Sequence, residues 1–258
     1  GWDFHDLTAY HFDTEKLAKV FYDVCLRNGV EFVDDKYIRA NQSDDGSIVS
    51  LKCENGTHEA DLFVDCTGFH SELLGKVMGV HYNSYANTLI NHRAIAAKIP
   101  YTDKNKQLTS YTNNVTMNNG WCYEIPLWDG LSVGYVHSLK FATESSIEKE
   151  FTDRYGIEPS KGVEFRTGRY DKAWVKNVAS VGLSFGFIEP LEATGLASIV
   201  TNVFRLLESL STNLSPNSFD RQVFNHACAT ELDNSKTFID MHYATCLLYT
   251  SDAADDHH

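Results

Sequence analysis

The chain has 258 residues, 43% hydrophobic and 22% charged, enough apolar material to build a real core in one large domain or two small ones. A formal net charge of −13 opposes a phosphate backbone, which argues against nucleic acid as a partner and leaves the substrate open. No run reaches the roughly 18 apolar residues of a membrane-spanning helix, and no secretory signal pattern is readable.

The opening "GWDFHDLTAYHFD" carries no initiator Met, which suggests a start inside something larger. Asp13 can cap a helix over Thr14–Arg27, with a broad apolar face from Leu17, Ala18, Val20, Phe21, Val24 and Cys25 and a stop at Gly29. The stretch 30–69 reads as a strand meander broken at "SDDG" and "ENG". Its last strand, in "ADLFVDCTGF", is almost wholly apolar and reads as central. From about Thr88 to Ser138, short strands separated by Pro100, "MNNG" and "WDG" predict an antiparallel sheet.

A helix over about Thr143–Tyr155 should end at Gly156, with strands near Val163–Tyr170 and Ala179–Leu183 after it. The segment "SFGFIEPLEATGL" then joins a buried strand to a helix over about Gly195–Leu210, whose apolar residues from Leu196 to Leu210 fit a 3.6-residue period. A long helix begins near Ser215-Pro216. Leu247–His258 drops the helical pattern, looks like a translated sequencing-adapter tail and is set aside as non-native, leaving 1–246 as the domain to explain.

Strand, tight loop and helix together place backbone N–H groups on an anion, because the first N–H groups of a helix lack partners and its start is electropositive. Here Gly182 ends the strand, Pro190 stiffens the loop, and Gly195 removes a side chain where backbone must approach something closely. A flavin edge or a halide fits, and so does a plain turn capped by Thr194. Glu192 either caps the helix and pairs with a base, or moves protons; Glu189 has the same two readings. Trp121 and Tyr123 share one strand face, which more often means packing than a site. Cys25, Cys53, Cys66, Cys122, Cys228 and Cys246 show no C-x-x-C spacing and read as reduced thiols of a cytoplasmic protein, with no metal expected. His11, His70, His92, His137, His226 and His242 form no i, i+4 pair and read as surface or satisfied core residues.

In order, these motifs closely resemble the flavin-dependent tryptophan halogenases, from about Thr8 to Cys246. "EADLFVDCTGF" resembles the family's "ADLFIDCSG" strand. "NGWCYEIPL" resembles its W-x-W-x-I-P signature, with Tyr123 for the second Trp, and "FIEPLEATGL" resembles E-P-L-E-S-T-G, with Ala193 for Ser.

The resemblance implies an α/β (α+β) fold of the FAD-dependent monooxygenase type. It would be truncated, without the N-terminal Rossmann βαβ unit, and keep an antiparallel substrate-side sheet and C-terminal helices. It implies FAD (as FADH2), halide and O2 acting on an indole or other electron-rich aromatic, with a flavin reductase as partner. Glu192 takes the place of the essential glutamate. Thr194 and Gly195 match the halide-holding amides, with Thr67, Gly68, Gly182 and Pro190 on the flavin side. Trp121, Tyr123, Ile125 and Pro126 partition flavin from substrate. The Gly-rich loop and tunnel lysine would precede Gly1, so the 258 residues read as an internal fragment, weak in FAD binding, inactive and prone to aggregate alone. A flavin hydroxylase and a non-catalytic flavoprotein are the alternatives, and a homodimer is left open.

Overall fold

The structure, a computed structural model, describes residues 10–212 and 216–245. The opening nine residues, Ser215, Cys246 and the tail Leu247–His258 lie outside the described residues. In chain order the first elements are α1 (Thr14–Arg27), β1 (Tyr37–Gln42), β2 (Ile48–Cys53), β3 (Thr57–Glu59), β4 (Phe63–Asp65), β5 (Tyr82–Ser84) and β6 (Arg93–Ile99). Then come α2 (Lys104–Gln107), β7 (Asn113–Met117), β8 (Gly120–Leu127), β9 (Gly130–His137), α3 (Glu144–Tyr155) and β10 (Lys161–Glu164). The last are β11 (Gly168–Tyr170), β12 (Trp174–Val175), β13 (Val178–Ser180), β14 (Gly186–Phe187), α4 (Thr194–Thr212) and α5 (Ser218–Thr245). They fall into two compact units, residues 1–34 with 91–164 and residues 35–90 with 165–258.

The first unit is built on an antiparallel five-stranded sheet, ordered β10-β6-β9-β8-β7. Its alternation sends Cys122, Val133 and Tyr135 to one face, where Ile147 and Phe151 of α3 complete a core. The buried Tyr135 hydroxyl accepts from Asn119 N (3.1 Å) and donates to Glu150 (2.8 Å), while Glu150 also accepts from Asn118 N (2.9 Å). That ties the β7–β8 turn to α3. Thr143 caps α3, and Gly156 ends it in the left-handed region at φ 68°.

α1 forms where the sequence predicts it, with Asp13 accepting from the Glu15 and Lys16 amides. Its apolar face, however, is uncovered: Phe21 is 60% exposed and no residue of α1 is buried. Charge contacts hold its start, Lys16 to Asp129 at 2.9 Å and Lys98 to Asp13 at 3.6 Å.

The second unit holds three small sheets, β1-β2-β3, β14-β11-β5 and β12-β13-β4. Their shared core includes Ile48, Phe63, Leu74, Trp174, Val178, Phe185, Phe224 and Cys228. Two asparagines stitch it together. Asn177 exchanges two hydrogen bonds with the Ile48 backbone, and Asn225 of α5 brackets Ala173–Trp174.

Two expectations change here. β4 is not the last member of the meander and is not central. It pairs in parallel with β13 at the edge of its sheet, and Val64 is 44% exposed. A mostly apolar run is compatible with burial on both faces but does not say how many neighbours the strand has. α4 has the predicted period, yet it is not a buried helix: Leu196, Val200, Phe204 and Leu207 are exposed, and Leu206 is buried instead. The periodicity marks an apolar stripe without fixing what packs on it.

Candidate functional site

The site is built around the loop between β13 and α4. After Val181, Gly182 takes φ +73°, and a Cβ there would also meet Ile199 of α4 at 3.3 Å, so glycine serves both the turn and the close packing. A short 3-10 turn follows at Pro190–Glu192, with Pro190 at its first position. Ala193 then adopts φ 52°, an unusual conformation for a residue with a side chain, and its N–H closes the turn on Pro190 O at 3.0 Å.

Thr194 and Gly195 are the first two residues of α4, so their N–H groups are among those the helix leaves unpaired. A side chain added at Gly195 would meet nothing within 4 Å. The Thr194 hydroxyl is not a cap: its oxygen is buried and has no hydrogen-bond partner. The donors of a helix start beside a buried, unused hydroxyl suit a small anion.

The two glutamates part company. Glu189 is fully buried, and its carboxylate accepts from the Tyr243 hydroxyl. Glu192 is partly exposed and lies 2.7 Å from His242 Nε2. Consecutive residues in the last turn of α5 thus reach both carboxylates. The sequence reading of His242 as an unremarkable histidine missed this; no local spacing signals it, because the partner lies on a distant element.

α5 is in turn anchored by Asp233, which accepts from Arg169 Nε and Nη2 (2.9 and 2.8 Å) and from the Tyr85 hydroxyl (2.5 Å). The Arg169 guanidinium, opposed by partial burial and helped by Tyr85, holds the Asp233 carboxyl below its ordinary range. Burial, together with the Asp233 partner, pushes the Tyr85 phenol upward.

Thr67 and Gly68 open the turn Gly68–His70, which packs against the turn Gly182–Ser184. Gly68 has φ +66° with open space where a side chain would lie. Thr67 is occupied within the fold: its hydroxyl donates to Asp65 (2.6 Å) and accepts from Glu72 N (2.8 Å). Asp65, which the sequence reading passed over, is 1% exposed and also receives the amides of Thr67, Leu73 and Leu74. Its backbone oxygen takes the Val181 amide and the Ser184 hydroxyl, which locks the two turns together.

The remaining sequence-predicted residues belong to the first unit. Trp121 and Tyr123 do share a face of β8, with ring centroids 6.3 Å apart. Tyr123 pairs with Gly134 of β9, and its ring fills the space where a Gly134 Cβ would stand. Burial raises the Tyr123 phenol pKa. Ile125 continues that face, and strand alternation puts Pro126 on the other.

The mixed α/β fold matches solved flavin-dependent halogenases over about half their length. The structure matches that of the 6-halogenase SttH from Streptomyces toxytricini with a TM-score of 0.86 at 31% identity, over 90% of this chain and 46% of that one. It matches BrvH, a flavin-dependent halogenase from Brevundimonas sp. BAL3, with a TM-score of 0.85 at 27% identity, over 93% of this chain and 50% of that one.

The tryptophan halogenase family model matches residues 6–248, and the chain belongs to that family. Among curated relatives, tryptophan 7-halogenase KtzQ of Kutzneria sp. (strain 744) is 33% identical over 92% of this chain. The chain spans 45% of that protein's length, about half of the relatives it matches. Among the described residues, no helix is long and apolar enough to cross a membrane.

Proposed function

We propose that this chain carries the flavin-side and substrate-side parts of a cytoplasmic halogenase that uses FADH2, O2 and halide on an indole or another electron-rich aromatic. The observation that carries this reading is the head of α4, where Thr194 and Gly195, whose amides have no acceptor within the helix, follow directly on Glu192 and the left-handed Ala193. When bound, FADH2 would supply the two electrons and two protons with which O2, halide and one further proton give hypohalous acid and water.

The chain's own residues have distinct tasks in this reading. The Thr194 and Gly195 N–H groups hold the halide at the electropositive helix start. Pro190 and Gly182 fix the approach of that loop, and Gly68 offers bare backbone to the flavin. The Glu192 carboxylate accepts the ring proton as the arene exchanges hydrogen for halogen, and His242 orients it. Trp121 and Tyr123, with Ile125 and Pro126, form the apolar wall that keeps substrate from the flavin. An external flavin reductase delivers the electrons.

The test is the complete reading frame expressed and assayed with a flavin reductase and tryptophan or indole, with and without bromide. Brominated product that requires bromide, and falls away in Glu192→Gln, supports the reading. Hydroxylated product formed equally without bromide would make it a hydroxylase; tight FAD binding with no product in either arm would make it a non-catalytic flavoprotein.

A further inference from the structure

The hairpin β2–β3 brings together three side chains that the halogenase reading does not use. Cys53 ends β2 and His58 lies in β3, five residues apart across the "ENG" turn, while Asp35 precedes β1. The Cys53 sulfur, the Asp35 carboxylate and the His58 ring nitrogen all lie within 4.8 Å of one another. Cys53 is 6% exposed, and the Asp35 side chain is 5% exposed.

Two of the donors are held in place. The Cys53 amide donates to Gly56 O at 2.9 Å, which closes the turn. Asp35 is clamped by the Lys36 amide and by both the amide and the side chain of Asn55. Lys36, next to Asp35 in the chain, is paired with Glu54 at 3.3 Å, so its charge is offset.

The contact between Asp35 and His58 is the informative one. His58 Nε2 is buried and has no hydrogen-bond partner, although the ring is partly exposed. It stands 3.6 Å from Asp35 Oδ2, too far for a hydrogen bond. Two ligand atoms bound to a tetrahedral zinc at ordinary imidazole and carboxylate distances lie about 3.4 Å apart. The observed 3.6 Å is within ion-pair range and is close to the spacing of two ligands around an ion. Gly56, whose φ is not left-handed, leaves the flank of this pair uncovered: a Cβ there would lie 3.8 Å from Nε2 and 3.9 Å from Oδ2.

We propose that Asp35, Cys53 and His58 form a binding site for a thiolate-tolerant divalent ion, zinc being the best match to a mixed S, N, O donor set. Binding releases the Cys53 thiol proton as the metal–sulfur bond forms, with no change of oxidation state. The three protein ligands leave one tetrahedral position for water. The ion joins the β2–β3 hairpin to the segment that enters β1.

The test titrates the metal-stripped chain with Co²⁺, reading the thiolate-to-cobalt absorption band, and then displaces it with Zn²⁺. One equivalent of Co²⁺ giving that band, bleached by Zn²⁺, is expected in the parent and in Cys66→Ser. His58→Gln should weaken binding by more than about 10-fold, and Asn55→Ala, which touches Asp35 but not the ion, by about 10-fold. Cys53→Ser should abolish the band. Zn²⁺ should also raise the melting temperature of the parent and not of His58→Gln, a readout that survives if Cys53→Ser fails to fold. No band, or a band and a thermal shift unchanged in His58→Gln, would overturn the site. None of these readouts depends on halogenase activity.

Discussion

Glu192 Oε1 and His242 Nε2 stand 2.7 Å apart, one in the turn before α4 and the other in the last turn of α5. Phe238 packs its ring edge-on against His242, at 4.9 Å between centroids, so the imidazole is fixed from its own helix as well. If Glu192 accepts the ring proton, Glu192→Gln in the complete enzyme should lower halogenation by about 100-fold or more. His242→Ala should lower it by about 10-fold through lost orientation. The double variant should be little worse than Glu192→Gln alone, since the two residues act as a unit. Steady-state rates with bromide check all three; independent, multiplicative losses would separate the residues.

Gly134 exists to seat Tyr123. A Cβ at Gly134 would stand 2.2 Å from the Tyr123 ring. Gly134→Ala should therefore destabilise the chain by about 1–3 kcal/mol, as overpacking does. Adding Tyr123→Ala should restore much of that loss. Urea unfolding midpoints of the two variants and the double variant measure it.

Asp65 holds the Thr67–Val77 segment through one buried carboxylate. Asp65→Asn keeps the shape but turns one acceptor into a donor facing amides that already need partners. A loss of about 3 kcal/mol is expected, since bonds to a charged acceptor are lost and a buried donor is left unpaired. Chemical denaturation reads the loss, and a change below about 1 kcal/mol would mean that the network is redundant.

Acid should loosen the anchor of α5. The Asp233 pKa is lowered in the fold, first by Arg169. A depressed carboxylate contributes stability that is fully present above its unfolded value, near 3.9, and is lost as pH falls through the folded value. The melting temperature of the parent should thus drop between about pH 5 and pH 3 more steeply than that of Asp233→Asn. The Asp233 side chain is 46% exposed, so the pair contributes only about 0.5–1 kcal/mol after solvent screening.

Uncovered helix faces predict self-association of the 258-residue chain. Phe21 of α1 is 60% exposed and Phe204 of α4 is 67% exposed, each among other exposed aliphatic side chains. Phe21→Glu with Phe204→Glu should raise the monomeric fraction in sedimentation velocity. A parent that is already monomeric, with a sharp cooperative thermal transition, would count against this.

The sequence by itself determined what neighbouring residues decide. Asp13, Thr143 and Gly156 set helix ends because a cap needs only the adjacent backbone, and the alternation in β8 put Trp121 beside Tyr123. The ordered motifs carried the family, since they are strings of adjacent residues, and the family model spans nearly all of the chain.

Only the tertiary structure decided which side chains meet across sequence. Asp65 locks two turns, His242 finds Glu192, and Asp35 finds Cys53 and His58, all through contacts that no period or spacing encodes. The exposure of α1, of the α4 stripe and of Val64 in β4 belongs to the same class. Hydrophobic periodicity says that a face seeks cover, but only packing in three dimensions says whether anything covers it.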